Sequence, residues 1–190
     1  MSREAENALF GPLIETLKRA ASALKESSLP FALAGSYAAY ARGAPPSAHD
    51  VDFVILQSDA EAALRALSAV GMTTIRPPED WLVKAYDDDR LVDLIYRAAG
   101  KPVTRELLDR ADEVEVASVL MPVLSATDLV SFRLAALSEH ACDFGAVLPI
   151  VRALREQIDW TRVRREVGDS PYAAAFLILI ERLGIIDGDE

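Results

Sequence analysis

At 190 residues and 51% hydrophobic content, the chain can bury a real core, as one domain or as a domain with a small appended lobe. Its single Cys142 excludes an intramolecular disulfide, and one Cys with two His cannot build a structural zinc site. Any metal must therefore be held by oxygen, which selects magnesium or manganese, and a formal net charge of −10 argues against a surface made to grip long nucleic acid non-specifically.

The opening MSREAENALF has neither the basic nor the apolar region of a signal peptide, and no stretch approaches about eighteen uninterrupted apolar residues. A cytoplasmic protein with no membrane contact is expected. Residues 4–27 place Leu9, Leu13, Leu17, Ala21 and Leu24 at helical spacing, so they predict an amphipathic helix. Phe31 to Ala34 then reads as a short strand cut by Gly35-Ser36, followed by a helix over Tyr37 to Arg42 that Gly43, Pro45 and Pro46 stop.

Val51 to Leu56 is the clearest strand, and Ser58 reads as the N-cap of a helix over Asp59 to Val70, with another strand after Gly71. Trp81 to Tyr86 and Leu91 to Tyr96 flank the polar turn Asp87-Asp88-Asp89, the pattern of an antiparallel hairpin. Thr104 caps a short helix, Val114 to Val123 predicts an edge strand, and Ser125 opens a helical region that reaches the C-terminus. The expectation is an α+β fold, with an αβ domain over 1–123 and a C-terminal helical lobe over 124–190 packed on it.

Within a strand, side chains alternate faces, so Asp50 and Asp52 share one face while Val51, Phe53 and Ile55 point into a helical layer. Two adjacent carboxylates beside an apolar run repel each other and call for a compensating cation; a solvated strand start would suit the same residues. Gly35-Ser36 sits at a strand-to-helix turn, where a small residue permits close backbone approach and free N–H groups can meet phosphate. Taken alone, that dipeptide is better accounted for by an ordinary turn capped by Ser36.

The order is informative: strand, Gly35-Ser36, helix, Pro-rich loop, Asp50-Val51-Asp52, and then Asp93 inside Val92-Asp93-Leu94-Ile95. Over about residues 30 to 97 this order resembles the DNA-polymerase-β-like nucleotidyltransferase superfamily. That resemblance implies a palm-like mixed sheet flanked by helices, an NTP donor and two divalent ions, Mg2+ or Mn2+, roughly 4 Å apart. It further implies that Asp50, Asp52 and Asp93 are the catalytic metal ligands, that Gly35 and Ser36 contact phosphates, and that Asp93 helps take the acceptor proton. His49 stands where many relatives carry Thr or Ser.

Arg42, on the helix after Gly35-Ser36, could reach phosphate bidentately or could be a solvated cation at a helix end. The segment from Pro122 to Ala135 resembles the second half of bacterial nucleotidyltransferase-like toxins, with Arg133 where Lys is common and Cys142-Asp143 where a base-Asp pair follows. Arg133 and Asp143 are therefore added to the nucleotide-binding candidates, an exposed helical cation and a helix N-cap being their ordinary readings. Arg152, Arg155, Arg162, Arg164 and Arg165 could bind an RNA backbone or form a salt-bridged face with Glu156, Asp159 and Glu166. Tyr172 to Leu183 is apolar nearly all round, as in a buried helix or one covered in a homo-oligomer.

Three functions compete. The first is NMP transfer to an RNA end or a protein hydroxyl, toxin-like and paired with an antitoxin. The second is modification of a small molecule by an antibiotic nucleotidyltransferase, which the acidic charge balance suits better. The third is a non-catalytic nucleotide-binding module. No phosphate loop of the Gly-x-x-x-x-Gly-Lys type, no Gly-x-Ser-x-Gly elbow and no paired His supports another chemistry.

Overall fold

A computed structural model describes residues 3–46 and 50–187, with side chains from residue 11 on. Helix α1, Arg3–Glu26, turns Leu13, Leu17, Ala21 and Leu24 into the core as its periodicity predicts, with Ala20 beside them; the Leu9 side chain lies outside the described residues. Its inner face is pinned by polar contacts as well: the Thr16 hydroxyl donates to Asp87 Oδ2 at 2.6 Å, and Arg19 reaches Asp87 Oδ1 at 2.5 Å.

The strands are β1 Phe31–Leu33, β2 Val51–Ile55, β3 Thr73–Ile75, β4 Leu82–Asp87 and β5 Arg90–Ile95, then β6 Arg97–Ala98, β7 Lys101–Pro102, β8 Asp112–Val116 and β9 Val119–Val123. Seven of them form one mixed sheet in the order β3-β4-β5-β2-β1-β9-β8, and β6 and β7 form a separate ribbon. The centre of the sheet is β2, antiparallel to β1 and parallel to β5. Val51, Phe53 and Ile55 are each 0% exposed and face the layer that contains α1, whereas the alternate residues Asp52 and Val54 face the other side. Phe53 meets Phe31 edge-on, with ring centroids 5.6 Å apart, which fixes β1 against β2.

The remaining helices are α2 Gly35–Ala41, α3 Ala60–Ala69, α4 Arg105–Leu108, α5 Ala126–Ala135, α6 Phe144–Leu154, α7 Trp160–Val167 and α8 Pro171–Arg182. Thr104, Ser125, Asp143, Asp159 and Ser170 cap their helices by accepting a backbone N–H three residues on. None of the described helices is long and apolar enough to cross a membrane.

Two expectations need correction. Ser58 is not an N-cap: it lies inside a 3-10 turn, Gln57–Asp59, and its hydroxyl contacts Asp59 Oδ1 at 3.3 Å. The edge strand expected over Val114 to Val123 is a hairpin of two strands, β8 and β9, because Ala117 and Ser118 take positive φ of 50° and 67° and reverse the chain.

The helices after β9 are tied together by Asp128, a 2% exposed carboxylate at the start of α5. It accepts from Ser125 Oγ at 2.6 Å and Arg110 Nη2 at 2.9 Å, and from Arg162 on α7. A buried carboxylate is tolerable only with such partners. Of the two expectations for the Arg162 region, an RNA-binding face or a salt-bridged one, the structure has the second at Arg162, which pairs with Asp128 and Glu166, while Arg164 pairs with Glu181.

Candidate active site

The sheet register assembles the site. Asp52 on β2 lies opposite Asp93 on the parallel strand β5, and Lys84 on β4 lies opposite Asp93 from the other side. Residues directly opposite share a face, so Lys84, Asp93 and Asp52 form a row across three strands. Asp50, two residues before Asp52, joins them, and carboxylate oxygens of Asp50, Asp52 and Asp93 all lie within 4.8 Å of one another. Asp93 is the most enclosed of the three, at 6% exposure.

Gly35 closes one side. Its φ is +61°, and a Cβ built there would lie 1.8 Å from Asp52 Oδ2, so only a residue without a side chain lets the turn come this close. The approach is fixed by a backbone hydrogen bond from Ala34 N to Asp52 O at 2.8 Å. Ser36, next in the turn, lines the same cleft.

The electrostatics are those of crowded acids. Burial, reinforced by Asp50 and Asp93, pushes the Asp52 carboxyl up to about 7, although Arg133 and Lys84 pull the other way. Burial also raises Asp93, in opposition to the Lys84 ammonium 3.0 Å from its Oδ1. Three oxygen ligands in mutual repulsion fit a hard divalent cation such as magnesium or manganese, which relieves the cost of holding them together.

These acids sit in a cleft of about 740 Å³ between the sheet and α5. Its floor is Val54 and Ile95, and its α5 wall is Leu129, Phe132, Arg133 and Ala136. Its opposite rim carries Asp80, Trp81 and the turn 97–100, with Arg97 bonded to Asp80 at 3.0 Å. Arg133 is notable because burial lowers the affinity of its guanidinium for a proton, Asp52 opposing, and its Nε is buried without a hydrogen-bond partner. A guanidinium so placed has donors left for an anionic ligand.

No protein-family model matches the chain, and no curated protein matches it. Solved structures do. The crystal structure of ANT(2″)-Ia in complex with adenylyl-2″-tobramycin overlays with a TM-score of 0.61 over 87% of this chain and 97% of its own, at 15% identity. The solution structure of the same antibiotic-resistance factor gives 0.61 over 90% and 94%, also at 15% identity. The chain has the nucleotidyltransferase fold. At this identity the likeness carries the fold, and nothing in the comparisons supports the toxin-type subgroup of nucleotidyltransferases or an antitoxin partner.

Within the nucleotidyltransferase fold, the structure brings together Gly35, Ser36, Asp50, Asp52, Asp93 and Arg133 from the sequence candidates. It does not bring Arg42 or Asp143. The Arg42 guanidinium donates to Leu124 O at 2.5 Å and Val123 O at 3.0 Å and pairs with Asp112 at 2.7 Å, so it ties α2 to β9 and the hairpin. Asp143 is exposed and caps α6 through Ala146 N. His49 lies outside the described residues. Arg42→Ala is thus expected to lower stability by about 2 kcal/mol, by leaving two carbonyls short of a donor, and to leave nucleotide affinity within about twofold. Chemical denaturation and nucleotide titration would check both halves.

Lys84, Trp81, Asp80 and Phe132 were not among the candidates. Lys84 had a usable signal, because the hairpin that pairs Asp87 with Arg90 also pairs Lys84 with Asp93. The others come to the cleft through loops and a helix packed across it, which no local pattern reveals.

Proposed function

We propose that the protein is a metal-dependent nucleotidyltransferase that moves a nucleoside monophosphate from an NTP to a hydroxyl of a small-molecule acceptor. The observation that carries this reading is the meeting of Asp50, Asp52 and Asp93 within 4.8 Å, in a cleft whose other wall holds the unpartnered Nε of Arg133. Asp50, Asp52 and Asp93 would hold magnesium or manganese, which when bound neutralises charge on the reacting phosphates.

The chain's own residues account for the rest. Arg133 draws the triphosphate to the α5 wall, and the side-chain-free Gly35 lets the turn, with Ser36 next in it, close against the Asp52 carboxylate at the edge of the phosphate path. The acceptor oxygen bonds to the α-phosphorus as the bond to the bridging oxygen breaks and pyrophosphate leaves. Asp93, whose burial raises its proton affinity, takes the acceptor proton.

A small acceptor is favoured over RNA or a protein by the cleft and the charge. The cleft is of drug-ligand size, with Trp81 and Phe132 as apolar surfaces and Asp80 and Asp50 as acids at its edge. The net charge of −10 suits a cationic acceptor, and the structure of ANT(2″)-Ia holds adenylyl-2″-tobramycin, a small molecule carrying a transferred nucleotide.

The test supplies each α-labelled NTP with magnesium or manganese to a panel of cationic, hydroxylated antibiotics, with total RNA and cell protein as separate arms. Label is expected on a drug with wild type and not with Asp52→Asn. Label reaching only RNA or protein would remove the small-molecule reading, and label that never leaves the NTP would remove the enzyme reading. In the same assay Arg133→Ala should raise KM for NTP by roughly 10- to 100-fold, the loss of one charge-assisted phosphate contact.

A further inference from the structure

The acids of this site are not equally in need of an external cation. Asp93 already has one: Lys84 Nζ lies 3.0 Å from its Oδ1 and 3.4 Å from its Oδ2. This is no loose surface contact. The Lys84 side chain is 22% exposed and that of Asp93 9%, against 31% and 66% for the surface pair Lys18 and Glu15. The pairing is also dictated by the backbone, since the two residues are register partners across β4 and β5. Asp50 and Asp52 have no such partner: among the described residues no hydrogen bond or ion pair joins either side chain to a cation.

From this asymmetry we propose that Lys84 takes the place of one of the two ions that the fold resemblance implies, so that the protein holds a single divalent ion with its nucleotide. The inference rests on the metal-dependent reading above and changes it in one respect: Asp93 leaves the set of metal ligands and keeps its place beside the acceptor. Asp50 and Asp52 supply the oxygens for that ion. Asp93 has both oxygens within reach of an ammonium that cannot move away without leaving a nearly buried carboxylate unpaired, a costly state. A second divalent ion on Asp93 would also stand beside that ammonium, cation against cation. Lys84 is thus a positioning residue: it holds Asp93 in place for the acceptor and supplies the charge there permanently.

The experiment counts ions. The protein is saturated with the unreactive donor α,β-methylene-ATP and titrated with Mn2+, with free ion followed by its electron paramagnetic resonance signal. Wild type is expected to bind one ion, Lys84→Met two, and Lys84→Arg one, since the arginine keeps the charge. Thermal melts establish that each protein is folded; if Lys84→Met is not, Lys84→Gln, which keeps a polar group beside Asp93 without the charge, takes its place with the same expected count of two. Two ions in wild type, or one in all three proteins, would overturn the inference while leaving the metal-dependent site intact. Wild type that binds no manganese would remove both.

Discussion

Asp52→Asn is expected to abolish nucleotidyl transfer, by about a thousandfold or more, and at the same time to make the metal-free protein more stable at pH 8. The first effect follows from loss of a charged metal ligand at the reacting phosphates. The second follows from the raised carboxyl. Burial, Asp50 and Asp93 all disfavour its charge and push the Asp52 carboxyl in the fold up to about 7, from an ordinary value of 3.8. The folded state therefore holds this proton more tightly than the unfolded chain does. Below the unfolded value the group costs nothing. As pH rises from there through about 7, the fold loses stability relative to the unfolded chain, and above that the loss is constant. At about 1.4 kcal/mol per unit the ceiling is about 4 kcal/mol, and partial solvent contact brings the expected gain in the Asn variant nearer to 2 kcal/mol. That corresponds to a rise in Tm of about 5 °C at pH 8, shrinking as pH approaches 4. Magnesium should stabilise wild type more at pH 8 than at pH 6, since ion and proton compete for the same oxygens, and should not stabilise the variant. A wild type that melts above the variant at pH 8 without metal would show that the three acids do not strain the fold.

The parts of this site that could be read from the sequence are those fixed by local periodicity. Val51 to Ile55 alternates with a period of two, so the side of the sheet on which Asp52 stands follows from the burial of Val51, Phe53 and Ile55. Asp93 is different: its strand is visible, but its place beside β2 is a non-local parallel pairing that only the resemblance suggested. Lys84 was hidden one step further on, in a register that required following the hairpin residue by residue. Arg42 misled because its neighbours in sequence point to phosphate, whereas its real partners, Val123 and Leu124, are some eighty residues away. For Asp143 the local signal was sufficient, since an acid before an apolar helix is first of all a cap. The hairpin of β8 and β9 looks like one strand in the sequence because Ala117 and Ser118 reverse the chain at positive φ without the glycine or asparagine that usually marks such a turn.

Gly35 provides the sharpest test of how the fold and the chemistry depend on one another. Gly35→Ala is expected to lower activity at least about a hundredfold and to cost about 3 kcal/mol of stability, read as kcat and as a Tm some 6–12 °C lower. About a third of that cost is the left-handed backbone, at φ +61°; the rest is the methyl group, which would lie 1.8 Å from Asp52 Oδ2 and must push the carboxylate out of line. Gly43→Ala separates the two contributions. Gly43 also has positive φ, +106°, but a Cβ there meets nothing within 4 Å, so it should show the backbone strain alone, about 1 kcal/mol, with activity close to wild type. The clash itself can be isolated by making Gly35→Ala in an Asp52→Ala background, where the nearest obstruction becomes the residue 52 Cβ, 2.9 Å away instead of 1.8 Å. The stability cost of Gly35→Ala should then fall by at least about 1 kcal/mol, a coupling that only direct contact produces. An equal cost in both backgrounds would mean that the turn is glycine for its backbone alone, and that the closeness of Gly35 to Asp52 has no part in shaping the site.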